Sequence, residues 1–492
     1  MASRLKKRTL RWLIPIHRWL GLFLSLILLL WFISGIVMMF EGYPRTSDAE
    51  RMEWLSSVSL DKVSVTPGEA LSEATREAAG PVRMNQPGDR PLIHLKTSDG
   101  DWRSLYADSG QPIAPLDEES AATRAESITG YPAEEAQRLS RPDQWTVSGR
   151  FDAHLPLWRV TLDDERRRWV YLSENTGEMI HETSRRERLW GYAGAVIHWI
   201  YPTQLRELSG FWRQLVMWLA GLGTLACLSG LILGILVLRR RRTGWSPYRG
   251  WFLWHHYLGL LFGVLASTWA FSGLLSLDPF RWAAGDRPEL SVQDSFGSRP
   301  NSSHSSAPLW ETLPENGSGD PPWRELQMWQ FADTPWYRAL DTEGDPQLLH
   351  PDNGREQTAL SEQQIHEAAR ALPEHSLEAI TRLTGYDNYY YAGRAERVRD
   401  LSPPLPVYRA DYTDGLRLYI NPADGQIIQL STPRNRVNRW LYNGLHSLDF
   451  PALAPGSFPW YVLVVALMTG GTLASGTGVW LTLRYLRRKL KP

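Results

Sequence analysis

Four apolar runs, near 20–40, 215–238, 252–277 and 458–483, stand out from an otherwise polar chain. Each is long enough to cross roughly 30 Å of hydrocarbon as a helix. Between them lie two long mixed segments, 41–211 and 278–457, with short stretches of alternating apolar and polar residues. The pattern predicts a membrane protein, mainly α, with four transmembrane helices and two α+β lobes. Helices are expected in the lobes at 67–79, 116–127 and 361–371, the last opened by the capping box Ser361-x-x-Gln364. Strands are expected near 145–148, 157–162, 168–172, 389–392, 407–412 and 416–420. Asn175-Thr176-Gly177 and Ala423-Asp424-Gly425 suit hairpin turns.

Charge orients the spans. Arg4, Lys6, Lys7, Arg8 and Arg11 precede the first, Arg239 to Arg242 follow the second, and Arg484, Arg487, Arg488, Lys489 and Lys491 follow the fourth. The positive-inside rule places all three clusters in the cytoplasm. The expected partition is a cytoplasmic start and first span (1–40), a first external lobe (41–211), a second span (212–238), a cytoplasmic basic loop (239–251), a third span (252–277), a second external lobe (278–457), a fourth span (458–483) and a cytoplasmic tail (484–492). In a Gram-negative cell this is an inner-membrane protein with both termini inside and both lobes in the periplasm. The first run looks like a signal peptide, but its apolar part is too long and Glu41-Gly42-Tyr43-Pro44 is no small-residue cleavage site, so an uncleaved anchor is expected.

Composition changes the picture little. The 492 residues carry a formal net charge of zero, so nothing points to nucleic acid. A lone cysteine, Cys227, excludes an intramolecular disulfide and a thiolate-held iron–sulfur cluster. No Walker loop and no dinucleotide fingerprint follows a strand. Of the 24 Trp, many sit at span edges, and Trp12, Trp19, Trp212, Trp251, Trp254 and Trp460 read as interfacial anchors.

The chain repeats itself. Ile16-His17-Arg18-Trp19-Leu20-Gly21-Leu22 returns as Trp254-His255-His256-Tyr257-Leu258-Gly259-Leu260, 238 residues on, and Ser34-Gly35 returns as Ser272-Gly273. At an offset of 248, Ile197-His198 matches Leu445-His446, Gly223-Thr224-Leu225 matches Gly471-Thr472-Leu473, Trp212 matches Trp460 and Gly230 matches Gly478. The ten-residue difference falls in the lobes, most naturally in the Ser-, Pro- and Gly-rich stretch 284–322, which reads as a flexible insert. Two parallel repeats follow, related by an approximate twofold axis along the membrane normal.

Histidine in or beside a span is costly, and four of them here occupy matched places. His17 and His255 stand at the cytoplasmic starts of spans, whereas His198 and His446 precede spans that start outside. A bis-histidine haem needs its two ligand nitrogens about 4 Å apart, by analogy with other metal–imidazole bonds. Crossing a span separates the two levels by roughly 20–30 Å. The pairs consistent with depth are therefore His17 with His255, and His198 with His446, as axial ligands of two haems b. His256 is an alternative to His255. Arg18 and His256 are placed to meet haem propionates. Gly21, Gly35, Gly259, Gly273, Gly223 and Gly471 would allow close approach of helices or a macrocycle. His94, His154, His181, His304, His350, His366 and His375 lack histidine counterparts and are expected at the surface. Tyr389-Tyr390-Tyr391 and Trp336-Tyr337 read first as core aromatics and second as lining for a siderophore.

The segment His17-Arg18-Trp19-Leu20-Gly21-Leu22, the Ser-Gly late in the first span, and the lobe pattern Leu155-Pro156-Leu157-Trp158-Arg159-Val160 with Tyr171…Thr176-Gly177 resemble the PepSY-associated transmembrane proteins. Leu405-Pro406-Val407-Tyr408-Arg409 and Tyr419…Asp424-Gly425 repeat the lobe pattern. The resemblance implies PepSY-like lobes and a haem-dependent oxidoreductase. It would pass electrons outward to a ferric siderophore, or another periplasmic Fe(III) chelate, and so release the iron. The donor stays open between a quinol, a flavoprotein and a cytoplasmic reductase. Two other readings also stay open: a haem-free regulatory or peptide-binding membrane protein, and a permease for iron or siderophore.

Overall fold

In the computed structural model, residues 2–65, 78–97, 101–238, 245–281, 296, 323–332, 334–350, 354–391 and 402–490 are described. The four apolar runs are helices: α1 (Ala2–Met38), α4 (Ser209–Val237), α5 (Trp251–Leu275) and α7 (Phe458–Lys489). All four are long and apolar enough to cross a membrane. Phe23, Leu261 and Val264 are more than half exposed on them, as lipid-facing residues are. The chain is a membrane protein. The helices close a ring in which α1 packs on α4 and α7, and α5 packs on the same two. Thus α1 lies diagonal to α5, and α4 diagonal to α7.

Among the described residues, the remainder holds three antiparallel sheets. The first half contributes α2 (Asp48–Glu53), β1 (Ala78–Asn85), β2 (Leu92–Thr97), β3 (Trp102–Tyr106), α3 (Glu118–Thr129), β4 (Ala133–Leu139), β5 (Leu157–Leu162), β6 (Trp169–Ser173) and β7 (Met179–Thr183). The second contributes β8 (Glu325–Phe331), β9 (Thr334–Leu340), β10 (Pro346–Leu349), β11 (Glu356–Gln357), α6 (Glu362–Arg370), β12 (Leu377–Leu383), β13 (Val407–Tyr412), β14 (Arg417–Ile420) and β15 (Ile427–Ser431). Two sheets are four-stranded meanders, β4-β5-β6-β7 and β12-β13-β14-β15. Ala121 and Ala125 of α3 pack on Val160, Leu162 and Val170, while Ile365, Ala368 and Ala369 of α6 pack on Ala410 and Leu418. Strands β5 and β13 bury the same positions in the same order.

The third sheet joins the halves. Its order is β11-β10-β9-β8-β1-β2-β3, with Arg83 opposite Gln327 and Asn85 opposite Glu325. The segments 41–211 and 278–457 therefore share one seven-stranded sheet instead of standing apart. A buried ionic knot locks it. Glu325 holds Arg51 at 2.7 Å and Arg83 at 3.1 Å, and Arg83 reaches Glu178 at 2.6 Å. Burial alone would raise Glu178, but the Arg83 guanidinium outweighs it and holds the carboxyl well below the usual carboxylate range.

Several expectations need correction. No strand forms at 145–148: the Asp143 carboxylate accepts from the amides of Trp145 and Thr146, which makes a turn. The second half repeats this, with Asp387 accepting from the amides of Tyr389 and Tyr390 where the strand 389–392 was expected, residue 392 lying outside the described residues. Edge strands β4 and β12 escape a search for alternation because both carry a bulge near their start and half-bury every third residue. Of the expected helix 67–79, residues 67–77 lie outside the described residues and the last two belong to β1. Arg239 to Arg242, and the insert 284–322 apart from Phe296, also lie outside them. Helices 116–127 and 361–371 appear with shifted ends as α3 and α6, the latter carrying the Ser361–Gln364 capping box.

Candidate functional site

The diagonal helices α1 and α5 bring His17 and His255 face to face, with ring centroids 6.1 Å apart. His198 and His446 meet at the same separation, 6.1 Å. Two imidazoles on opposite sides of one iron place their centroids about 6 Å apart, with each metal–nitrogen bond near 2 Å. Both pairs have that spacing.

The other nitrogen of each ring fixes the tautomer. His17 donates Nδ1–H to the carbonyl of Ala226 on α4 at 3.0 Å. His198 donates Nδ1–H to the carbonyl of Trp31 at 3.1 Å. A carbonyl only accepts, so each ring carries its proton on Nδ1 and its lone pair on Nε2. His255 Nδ1 lies 2.9 Å from Thr477 Oγ1, whose own proton goes to the Ala474 carbonyl at 2.6 Å. His446 Nδ1 lies 3.0 Å from Ser272 Oγ, which donates to the Trp269 carbonyl. Those hydroxyls are spent as donors and accept from the rings. All four histidines thus present Nε2 as the basic nitrogen, and each is oriented by a partner as metal-ligating imidazoles are.

A glycine underlies each ring. A Cβ on Gly230 would stand 2.4 Å from Cε1 of His17, and one on Gly35 would stand 3.4 Å from Cε1 of His198. At Gly478 and Gly273 the distances to His255 and His446 are 3.6 and 3.7 Å. Every one of these glycines follows a hydroxyl residue: Ser34-Gly35, Ser229-Gly230, Ser272-Gly273 and Thr477-Gly478. This recurring Ser/Thr-Gly pair is the signal in the sequence that could have marked the ring sites on α4 and α7, where Ser229 in one half stands against Thr477 in the other. Gly21 and Gly259 meet nothing, and Gly223 and Gly471 face Trp31 and Phe32 and serve helix packing.

His198 and His446 ride on a matched local device. Each follows a turn of π-helix, Tyr192–Val196 or Arg439–Gly444, and each segment ends in a left-handed residue, Ile200 (φ 52°) or Leu448 (φ 51°). For a β-branched residue such as Ile200 that conformation is strained unless its surroundings hold it. Trp212 does so by donating Nε1–H to the carbonyls of Trp199 and Ile200, and Trp460 by donating to that of Leu448 at 3.0 Å. Trp460 is 1 % exposed, so it is a buried clasp and not an interfacial anchor. His198 and His446 both line a cavity of about 390 Å³, walled by Trp31, Phe32, Trp212, Trp269 and Met468. Its size and aromatic walls fit a largely apolar cofactor. The donor set and the spacing fit a haem iron at both levels.

The family of the PepSY-associated TM region matches residues 14–342, which include His17, His198 and His255. The chain belongs to this family. No curated protein matches it.

The remaining candidate residues of this PepSY-associated transmembrane chain are placed as follows. His256 is buried with both nitrogens engaged: Nε2 donates to the Gly234 carbonyl at 3.0 Å, and Nδ1 meets Ser246 Oγ at 2.7 Å. Arg18 is exposed, with its guanidinium 5.7 Å from the Trp19 ring. Tyr390, Trp336 and Tyr337 are buried core residues. His94 and His181 are fully buried instead of at the surface, since His94 bonds Asn85 and Ser104 inside the knot, and His181 bonds Thr46. His304 lies outside the described residues.

Proposed function

We propose that this chain is a di-haem transmembrane electron-transfer protein that reduces a ferric siderophore, or a related Fe(III) chelate, on the periplasmic face. The observation that carries the reading is the pairing of four histidines at one spacing, each with Nε2 as its basic nitrogen. His17 and His255 would hold the inner haem b, and His198 and His446 the outer one. When bound, such haems would supply single-electron transfer. The carbonyls of Ala226 and Trp31 and the hydroxyls of Thr477 and Ser272 orient the imidazoles and raise their basicity. The aromatic walls beside the His198–His446 pair would give the group largely apolar surroundings. Weaker binding of Fe(II) than of Fe(III) by hard oxygen ligands then frees the iron.

The matched clasps, Ser/Thr-Gly pairs and meander sheets support two parallel repeats. With the basic clusters of the sequence they favour the bacterial inner membrane, both termini inside and the sheets in the periplasm. The electron donor is a quinol, a flavoprotein or a cytoplasmic reductase. The test is the absorption spectrum of the purified protein before and after dithionite. A b-type spectrum with two haems per chain is expected. A haem-free preparation from haem-replete cells overturns the reading in favour of a haem-free regulatory role or a permease.

A further inference from the structure

Residues 1–40, 208–277 and 458–492 hold the four long helices and contain no Asp or Glu, so all 53 acids of the chain fall elsewhere. Sixteen Lys and Arg precede Trp19, lie between α4 and α5, or follow Leu483, all towards the end of the bundle that holds the His17–His255 pair. Three of these cations converge on a groove of about 340 Å³ between α5 and α7, lined by Trp251, Trp480, Leu483, Arg484, Arg487 and Arg488. The five residues from α7 fall on one face of the helix, at the spacing i, i+3, i+4, i+7, i+8. The Trp251 and Trp480 rings meet across the groove with centroids 5.6 Å apart, and each is about half exposed. Trp251 stands four residues before His255, and Trp480 three beyond Thr477, whose hydroxyl holds the His255 ring. The groove therefore opens about one helical turn from that histidine.

Tryptophan collects at the depth where hydrocarbon meets headgroups, so the paired rings mark that level. An occupant there needs apolar surface for the two indoles and Leu483, and negative charge for the three guanidinium groups beyond them. We infer that this groove binds one anionic phospholipid, its phosphodiester on Arg484, Arg487 and Arg488 and its glycerol and upper chains against Trp251, Trp480 and Leu483. Arginine suits the task because its planar fork matches phosphate oxygens two at a time. The ammonium of a zwitterionic headgroup would add a further cation to an end that already carries sixteen, and would bind less well. A headgroup so held touches both α5 and α7, the helices that seat His255, and ties their ends together. The site stands whether or not haem is bound.

The test is native mass spectrometry of the full chain released from detergent micelles and titrated with phosphatidylglycerol or phosphatidylcholine of matched chains. The wild type should bind one phosphatidylglycerol about tenfold more tightly than phosphatidylcholine. The triple variant Arg484→Gln, Arg487→Gln, Arg488→Gln should lose that preference, and Arg487→Gln alone, a milder change should the triple variant fail to fold, should show part of the loss. The double variant Arg8→Gln, Arg11→Gln removes two exposed cations of α1 that do not line the groove, and it should keep the preference intact. Equal affinity of the wild type for the two lipids leaves the groove to some other occupant and overturns the proposal. A preference unchanged in both the triple variant and Arg487→Gln overturns it as well. An equal loss in the Arg8, Arg11 variant shows diffuse attraction to the whole basic end and overturns the groove as a site. Displacement of phosphatidylglycerol by inorganic phosphate assigns the arginines to a free phosphate, with the same consequence.

Discussion

At the scale of single residues, the site is defined as much by what is missing as by what is present. Gly230 leaves room for His17, and a Cβ there would come within 2.8 Å of Nδ1 as well as 2.4 Å of Cε1. Neither atom is the far end of a flexible chain. The ring must swing, and overpacking of this kind costs about 1–3 kcal/mol. On the di-haem reading, Gly230→Ala is therefore expected to lose the haem held by His17 and His255 and keep the other, which halves the haem-to-chain ratio measured by pyridine haemochrome. Gly478→Ala, with 3.6 Å to His255, should retain both haems. Equal haem content in the two variants would show that ring placement does not depend on Gly230. The histidines themselves were legible from self-similarity, because matched costly residues survive comparison within one chain. Their Nδ1 partners were not, since Ala226, Trp31, Ser272 and Thr477 become neighbours of the rings only when helices distant in sequence pack side by side.

At the scale of elements, the outer histidines depend on the π-turn, the left-handed residue and the tryptophan clasp acting together. Removing the Trp460 indole donor leaves the carbonyl of half-buried Leu448 without its partner, a cost of about 1 kcal/mol. Trp460→Phe should thus weaken retention of the outer haem while α7 stays helical, and haem loss during gel filtration alongside far-UV circular dichroism reads both. The joint sheet predicts an acid-sensitive element. Burial pushes His94 down to about 4 from an ordinary 6.5, so the folded state favours its neutral form. That stabilisation is complete above about pH 6.5 and is lost as pH falls towards 4. Glu178 and Glu325 are also held low, and their contribution fades only below the usual carboxylate range. Thermal stability of the external sheets should therefore begin to fall below about pH 6.5 and steepen as the carboxylates protonate. Glu325→Gln, which leaves Arg51 short of its charge, should cost about 3–5 kcal/mol and shallow the carboxylate part of the profile. A melting temperature flat from pH 7 to 4 would contradict the knot. Spans, helices α3 and α6, and strands β5 and β13 were readable because their periodicity is regular. The joint sheet was hidden for a different reason: β1 and β8 lie some 240 residues apart, and no local pattern names a strand's partner across that distance.

At the scale of the whole molecule, two histidine levels sit at opposite ends of one bundle, and their separation decides what the chain can do. His17 and Ser34, the latter bonded to His198, are 17 residues apart on α1, and His255 and Ser272, the latter bonded to His446, are 17 apart on α5. At 1.5 Å per residue both helices set the levels about 25 Å apart. One level alone leaves most of the membrane uncrossed, so on the di-haem reading neither can substitute for the other. This has a consequence that a soluble reductase activity would not share. In proteoliposomes loaded with a membrane-impermeant reductant, with a ferric chelate and a chromogenic Fe(II) trap outside, the wild-type chain should generate trapped Fe(II). His17→Ala should retain the outer haem, His198→Ala the inner one, and both should fall to the protein-free background. In detergent, where the reductant reaches both faces, His17→Ala should recover chelate reduction because the outer haem is then reduced directly, whereas His198→Ala should not. Recovery in both variants, or in neither, would show that the two levels do not act in series from the cytoplasmic to the periplasmic face.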